Sequence, residues 1–323
     1  MAVYTQVSAE TAEQLLSRYD VGRLVSLKGI AEGVENSNYL LETDEARFIL
    51  TLYESRVDPA DLPYFHNLLA HLHHAGCAVP RFIDDRQGQW LQEVAGKKAC
   101  LIEFLPGISV SDPTPAQARS VGGTLAKMHL AVADFAENKP NPLGFASWRP
   151  LFLRCDEKAA EALQPGLASD IALELNWLSA NWPQDLPVCA IHTDLFPDNV
   201  LFRGDRVGGL IDFYFACSDF RAYDLAVTHA AWSFSADGRQ FLAEIGASLL
   251  SGYHEVIELD AAERNAFPVL ARGASLRFLL TRLYDWINTP AGAMVTRKDP
   301  LAFHRRLEFY RSEDTRFFFG QQS

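Results

Sequence analysis

Apolar positions recur at helical spacing near the start of the chain, where Ala12, Leu15, Leu16 and Tyr19 share one face, and predict a helix over 8–19. Residues 24–28 read as a short strand, followed by the loop GIAEG (29–33). Two alternating runs, SNYLLET and RFILTLYE, flank Asp44, Glu45 and Ala46 and predict a hairpin. Asp61 opens a second helix with a stripe of Phe65, Leu68, Leu69 and Leu72, and Gly76 ends it. Residues 89–105 predict another hairpin, turning at Ala95, Gly96 and Lys97 and ending in the apolar run ACLIEFL. Pro106 and Gly107 break the chain. Beyond them Thr114–Pro115 is a good N-cap with proline at the first helical position, and Val121, Leu125, Met128 and Val132 carry the helical spacing onward. Further helices are expected at 168–181, 221–234, 238–258 and 266–287. The exceptions are a strand at 188–191 (VCAI) and a hairpin, NVLF/VGGLI, turning at Gly204 and Asp205.

The pattern is α+β. A small lobe of antiparallel sheet is expected over 1–105 and a larger, mainly helical lobe over 106–323. With 323 residues, 48% of them apolar, the chain has enough apolar surface for two such cores. A net charge of −12 argues against nucleic acid and anionic membranes as main partners. The N-terminus shows no apolar core behind basic residues, and no apolar run reaches membrane-spanning length, so a cytoplasmic protein is expected. Five cysteines, with no C-x-x-C pair, fit a reducing compartment better than a disulfide framework or a zinc site. Oligomeric state is left open.

The segment IHTDLFPDNVLF, 191–202, carries the chemistry. His192 is followed by Asp194, then Asn199, and Asp212 comes at the end of the next strand. Phosphoryl transfer from ATP needs one carboxylate to orient an acceptor hydroxyl and take its proton. It also needs oxygen donors for magnesium, which an amide and a second carboxylate supply. A G-x-S-x-G elbow and a Walker A loop are both absent from the sequence, which excludes the corresponding hydrolase and P-loop kinase readings.

This H-x-D-x-x-x-x-N run with its strand-end aspartate resembles the catalytic segment of the aminoglycoside phosphotransferase and choline kinase superfamily. The resemblance implies a two-lobed, protein-kinase-like fold that uses ATP and Mg2+. It implies that Asp194 is the catalytic base, that Asn199 and Asp212 bind magnesium, and that His192 braces the loop. The later DFRAYDLA, 219–226, is similar as well, and implies that Asp224 buttresses the catalytic loop.

Gly29, Gly33, Asn36 and Ser37 lie where a phosphate-covering loop is expected, and Glu103, Phe104 and Leu105 where a hinge would pair with adenine. Thr51 stands where most relatives carry a lysine that contacts phosphate; Lys28 is a candidate substitute. The threonine strand F-x-L-T-L-Y-E and the loop GIAEGVENSNY, 29–39, resemble bacterial homoserine kinases of the aminoglycoside-phosphotransferase type, as do IDFYFA and RFLLTRLYD. That resemblance spans essentially the whole chain. It implies phosphorylation of the L-homoserine side-chain hydroxyl, a step of threonine biosynthesis.

A zwitterionic substrate needs donors for its carboxylate and acceptors for its ammonium. Arg277, Thr281, Tyr284 and Asp285 share a helical face, with Arg282 on the same helix, and Glu35 and Asn38 lie in the loop. All are candidate substrate contacts, with solvated or ion-paired surface as the competing reading. His71, His73 and His74 read as a surface cluster and His129 as a satisfied core histidine. Kinases for choline, methylthioribose or an aminoglycoside are the sibling alternatives, and a nucleotide-binding pseudokinase is the alternative of another class.

Overall fold

A computed structural model describes residues 4–30, 36–54, 57–289 and 297–312. The chain divides into two compact units that change over between Pro106 and Gly107.

The first unit runs α1 (Ala9–Leu16), β1 (Leu24–Ile30), β2 (Ser37–Thr43), β3 (Arg47–Leu52), α2 (Leu62–His74), β4 (Leu91–Val94) and β5 (Lys97–Glu103). The strands form one antiparallel sheet in the order β1-β2-β3-β5-β4. Ser8 caps α1 by accepting from the Thr11 N–H, which fixes where the helix starts. Its buried Ala12, Leu15 and Leu16 join Tyr39, Leu41, Leu50, Leu52 and Leu101 of the sheet in one core. Strand alternation sends every second residue of β3 into that core, so Phe48, Leu50 and Leu52 point there and Thr51 points to the opposite face.

The second unit contains α3 (Pro115–Ala131), α4 (Phe145–Leu153), α5 (Glu157–Leu163), α6 (Leu167–Asn181), β6 (Val188–Ile191), β7 (Val200–Arg203), β8 (Arg206–Leu210), β9 (Cys217–Phe220), α7 (Arg221–Trp232), α8 (Ala243–His254), α9 (Ala261–Asn288) and α10 (Leu301–Ser312). The Thr114 cap predicted for α3 is a full capping box with Gln117. Helix α7 is buried along its whole length after Arg221, so it forms the axis of the unit. Helices α3 and α8 meet backbone to backbone: a methyl at Gly122 would collide with the Leu249 carbonyl, and one at Gly252 with the Arg119 carbonyl. That close approach lets Tyr253 reach His129.

Some boundaries differ from the sequence pattern. The helix expected from 238 begins at Ala243, because Gly238 adopts φ 74° and the chain turns there before Phe241 bridges back to Phe234. Helix α9 starts at Ala261, earlier than its apolar stripe, because Asp260 and Glu263 form a capping box. Strand β9 pairs with β6, and helices α4, α5 and α10 are further elements. Among the described residues no helix is long and apolar enough to cross a membrane.

Candidate active site

Strand β6 delivers the chain into a loop, 192–199, and the β7–β8 hairpin returns it to Asp212, two residues past Leu210. Pairing of β6 with β9, Ile191 opposite Cys217, draws the entry and the exit together. The Ile211 N–H donates to the Asn199 carbonyl at 3.0 Å. His192 links the two sides: its Nε2 donates to the Ile211 carbonyl at 3.0 Å, which leaves Nδ1 to accept from the Asp194 N–H at 3.3 Å. The ring is fully buried, and burial pushes its pKa down, so it stands as the neutral Nε2–H tautomer.

The loop backbone is strained and over-determined. Thr193 has φ 62° and Asp212 φ 65°, a left-handed conformation that costs a non-glycine residue about 1–3 kcal/mol. Thr193 is held on three sides. Its N–H donates to Asp224 Oδ1 at 2.7 Å, its hydroxyl to the Phe215 carbonyl at 3.0 Å, and its own carbonyl accepts from Arg277 Nη1. Asp224 Oδ2 also accepts from the His192 N–H at 2.8 Å, and lies 3.1 Å from His129 Nε2. Burial alone would raise the Asp224 carboxyl. The hydrogen bonds from the His129 ring and the His192 N–H outweigh it and hold the pKa below the usual range. Trp232 Nε1 donates to the Leu195 carbonyl at 2.8 Å, which fixes the loop from α7 as well.

Asp194 is half-buried, and Asn199 Nδ2 donates to its carbonyl at 2.8 Å and to Oδ2 at 3.3 Å. That use of Nδ2 turns the Asn199 Oδ1 away from Asp194, available as an oxygen ligand. Burial is the main reason that the Asp194 carboxyl is pushed up to about 8; Arg277 opposes it and the charge of Asp212 adds to it. Asp212 is exposed. Desolvation, with the charge of Asp198, pushes it up to about 6. Asp198 is exposed and pairs with Lys298 at 3.8 Å.

Asn199 and Asp212 fit magnesium. Both offer hard oxygen donors, and this ion takes one or two protein ligands while phosphate oxygens and waters complete its octahedron. Among the described residues no three His, Cys, Asp or Glu side chains converge as an all-protein cage.

In the first unit, Gly33 and Glu35 lie outside the described residues. The described end of the glycine loop is fastened to β3. The Glu54 N–H donates to Asn36 Oδ1 at 3.3 Å, Ser37 Oγ donates to Glu54 Oε1 at 2.8 Å, and Thr51 Oγ1 donates to Asn38 Oδ1 at 2.8 Å. Lys97 neutralises Glu54 at 3.0 Å. Gly29 and Lys28 are exposed on the edge strand β1. Phe104 and Leu105 follow β5 outside its ladder, whose last pair is Phe48 with Glu103. A hollow of about 590 Å³ lies by the β2–β3 turn, with Glu103 and Phe104 on its wall and Arg81, Arg47 and Glu42 around it. It contains none of the phosphoryl-transfer residues.

Of the helix α9 candidates, Arg277 is 2% exposed and committed to Thr193, and Tyr284 accepts from Arg154 Nη2 at 2.6 Å. Asp285 and Arg282 are half-buried. His129 is a core residue with both ring nitrogens in contact, at Tyr253 and Asp224, while His73 and His74 are exposed. Trp232 of α7 reaches the loop directly at Leu195, and His129 of α3 supports it through Asp224. The sequence marks His129 as a core histidine and does not single out Trp232, and nothing in the helical spacing names the partner of either.

The family model for the phosphotransferase enzyme family matches residues 26–259. A homoserine kinase of Xanthobacter autotrophicus is 51% identical over 315 residues, covering 98% of each chain. One from Zymomonas mobilis is 49% identical, covering 96% of this chain and 97% of that one. Among solved structures, an amicoumacin kinase in complex with AMP-PNP and Ca2+ superposes with a TM-score of 0.72 over 94% of each chain, at 13% identity.

Proposed function

Since the chain belongs to the phosphotransferase enzyme family, and by full-length likeness to its homoserine kinases, we propose that Asp194 orients the side-chain hydroxyl of L-homoserine for attack on the γ-phosphorus of ATP. The reaction is an ATP-dependent phosphotransfer to homoserine, a step of threonine biosynthesis. The observation that carries the assignment of roles is the loop geometry. Asp194, Asn199 and Asp212 converge through His192 and the Ile211–Asn199 contact, and the backbone between them is strained and fixed.

Asp194 accepts the hydroxyl's hydrogen bond and then its proton. Burial raises the proton affinity of the Asp194 carboxylate, so its ionised form draws the hydroxyl proton more strongly than an ordinary carboxylate does. Asn199 fixes the carboxylate's direction through Nδ2. Asp224, Arg277 and Trp232 hold the loop still, so little reorganisation is needed as charge develops. Magnesium, bound through Asn199 Oδ1 and Asp212, would neutralise phosphate charge. His192 is structural. The nucleotide residues are Gly29, Gly33, Asn36 and Ser37 of the loop end and the Glu103, Phe104 and Leu105 backbone, with Thr51 acting through Asn38. The five free cysteines support a reducing, cytoplasmic setting.

The test is ADP release from ATP and magnesium with L-homoserine, choline, methylthioribose and kanamycin in parallel. Turnover with homoserine is the expected result. Turnover with another acceptor alone would reject the substrate, and ATP binding without turnover on any of them would reject the catalytic roles.

A further inference from the structure

Three phenylalanines pack beside the catalytic loop: Phe196 from the loop, Phe278 from α9 and Phe303 from α10. Ring centroids are 4.9 Å apart for Phe196–Phe278 and for Phe278–Phe303, and 6.0 Å for Phe196–Phe303. Cations lie on this cluster. The Arg282 guanidinium is 4.5 Å from the Phe303 centroid, the Arg306 guanidinium 4.2 Å from the same centroid, and Lys298 Nζ 5.7 Å from that of Phe196.

Ring faces attract cations, but they do not neutralise two guanidiniums on one ring. Among the described residues no carboxylate pairs directly with either guanidinium, and Asp194, Asp299 and Asp198 act on Arg282 only from beyond ion-pair distance. Arg282 donates to the Asp299 carbonyl at 3.3 Å, while the Asp299 carboxylate accepts from the Leu301 N–H at 2.9 Å and from Arg305 at 3.4 Å. Asp198 is taken by Lys298. Arg306 is 3% exposed and donates Nη2 to the Ser235 carbonyl at 3.1 Å, yet its Nε and Nη1 are closed from solvent with no partner. Neither arginine has an ion-pair partner among the described residues. Burial, with their mutual repulsion at Arg306, brings both pKa values down to about 10. Two guanidiniums on one ring leave an excess of positive charge at a partly desolvated site, and an anion at Arg282 would offset it.

Resting on the homoserine reading, we propose that Arg282, supported by Arg306 through the shared Phe303 ring, anchors the α-carboxylate of the substrate and selects an amino acid over an amino alcohol. Arg282 lies close enough to Asp194 for their charges to act on each other, as a short substrate with its hydroxyl at one residue and its carboxylate at the other requires. A guanidinium fork suits a carboxylate better than an ammonium does. Arg306 is a positioning residue: it adds positive potential and holds the ring on which Arg282 lies.

The experiment compares L-homoserine with 3-aminopropan-1-ol, the same chain without its carboxylate, for wild type, Arg282→Met, Arg282→Lys and Arg306→Met, with ATP affinity measured on each. Arg282→Met is expected to lower kcat/KM for homoserine by on the order of 10²-fold and to leave the amino alcohol and ATP affinity unchanged. Arg282→Lys falls between. Arg306→Met raises the homoserine KM roughly 10-fold with kcat unchanged. An unchanged preference in Arg282→Met and Arg282→Lys would overturn the inference. So would equal losses on both acceptors with weakened ATP binding, which would assign the pair to phosphate instead. A wild type that ignores homoserine altogether is a different outcome, and rejects the substrate reading itself.

Discussion

Thr51 Oγ1 donates a hydrogen bond to Asn38 Oδ1 at 2.8 Å, across a directly opposed pair of β2 and β3 residues. Thr51, expected from the family resemblance to stand at a phosphate-contacting position, is thus 2% exposed and already bonded. The bond aims the Asn38 amide with Oδ1 toward the strand. Thr51→Val is expected to cost about 1 kcal/mol, because the half-buried amide oxygen loses its donor while the shape is kept. Thr51→Lys would introduce a charge with no acid opposite and is expected to cost more, about 3–5 kcal/mol, without raising turnover. Urea denaturation of both variants, with kcat for the lysine variant, checks this; a lysine variant that is as stable and faster would refute it.

Asp194→Asn keeps the shape of the base and removes its proton affinity. Turnover is expected to fall roughly 10²–10⁴-fold, with the melting temperature little changed. Wild-type kcat in this variant would sink the assignment.

Asp212 needs a replacement that tolerates its left-handed backbone, so asparagine is a cleaner probe than alanine. Asp212→Asn is expected to lose activity and to need more magnesium for half-maximal rate, with stability within about 0.5 kcal/mol of wild type. Titrating magnesium at saturating ATP tests this, and an unchanged midpoint would count against the metal role.

Asp224 is fully buried and receives two backbone N–H groups of the loop as well as the His129 ring. Asp224→Ala leaves those donors unpaired and frees Thr193 from one of its restraints. A loss of about 3–5 kcal/mol is expected, together with a kcat defect that added substrate does not rescue. Guanidinium unfolding and saturation kinetics on the same preparation measure both.

His229 is buried beside Tyr310, with Nδ1 2.6 Å from its hydroxyl, and burial lowers its pKa to about 3. The unfolded chain binds this proton near pH 6.5 and the folded one does not until about pH 3. The unfolded state therefore holds more protons in between, and stability falls as the pH drops through that window. The slope from this residue is about 1.4 kcal/mol per pH unit at most. His229→Gln is expected to flatten the stability curve between pH 6 and about pH 4. Equal slopes for variant and wild type would contradict it.

The hairpins, the Thr114 cap and the 192–199 loop were legible because each is local. Alternation, a turn residue or a cap acts within a few positions, and the strand–loop–hairpin that carries Asp194, Asn199 and Asp212 is a single short stretch. The start of α8 was misread because Gly238 closes against Ala302, far along the chain. Arg277 was readable as a polar residue on a helix face, as a substrate contact or as solvated or ion-paired surface, and the structure makes it instead a buried brace of the loop. Only the opposing Thr193 carbonyl decides this.

The sequence by itself determined which candidate groups for the chemistry the chain presents and in what order, since spacing within one loop constrains geometry directly. Only the tertiary structure decided what holds that loop and what faces it. Asp224 closes on His192 from 32 positions away, His129 meets Asp224 across 95, and Arg282 comes from α9 to the Phe303 ring of α10 that Arg306 also touches. Helical spacing reports that a side chain is turned inward. The identity of its partner is set by how helices pack, which is a property of the whole core.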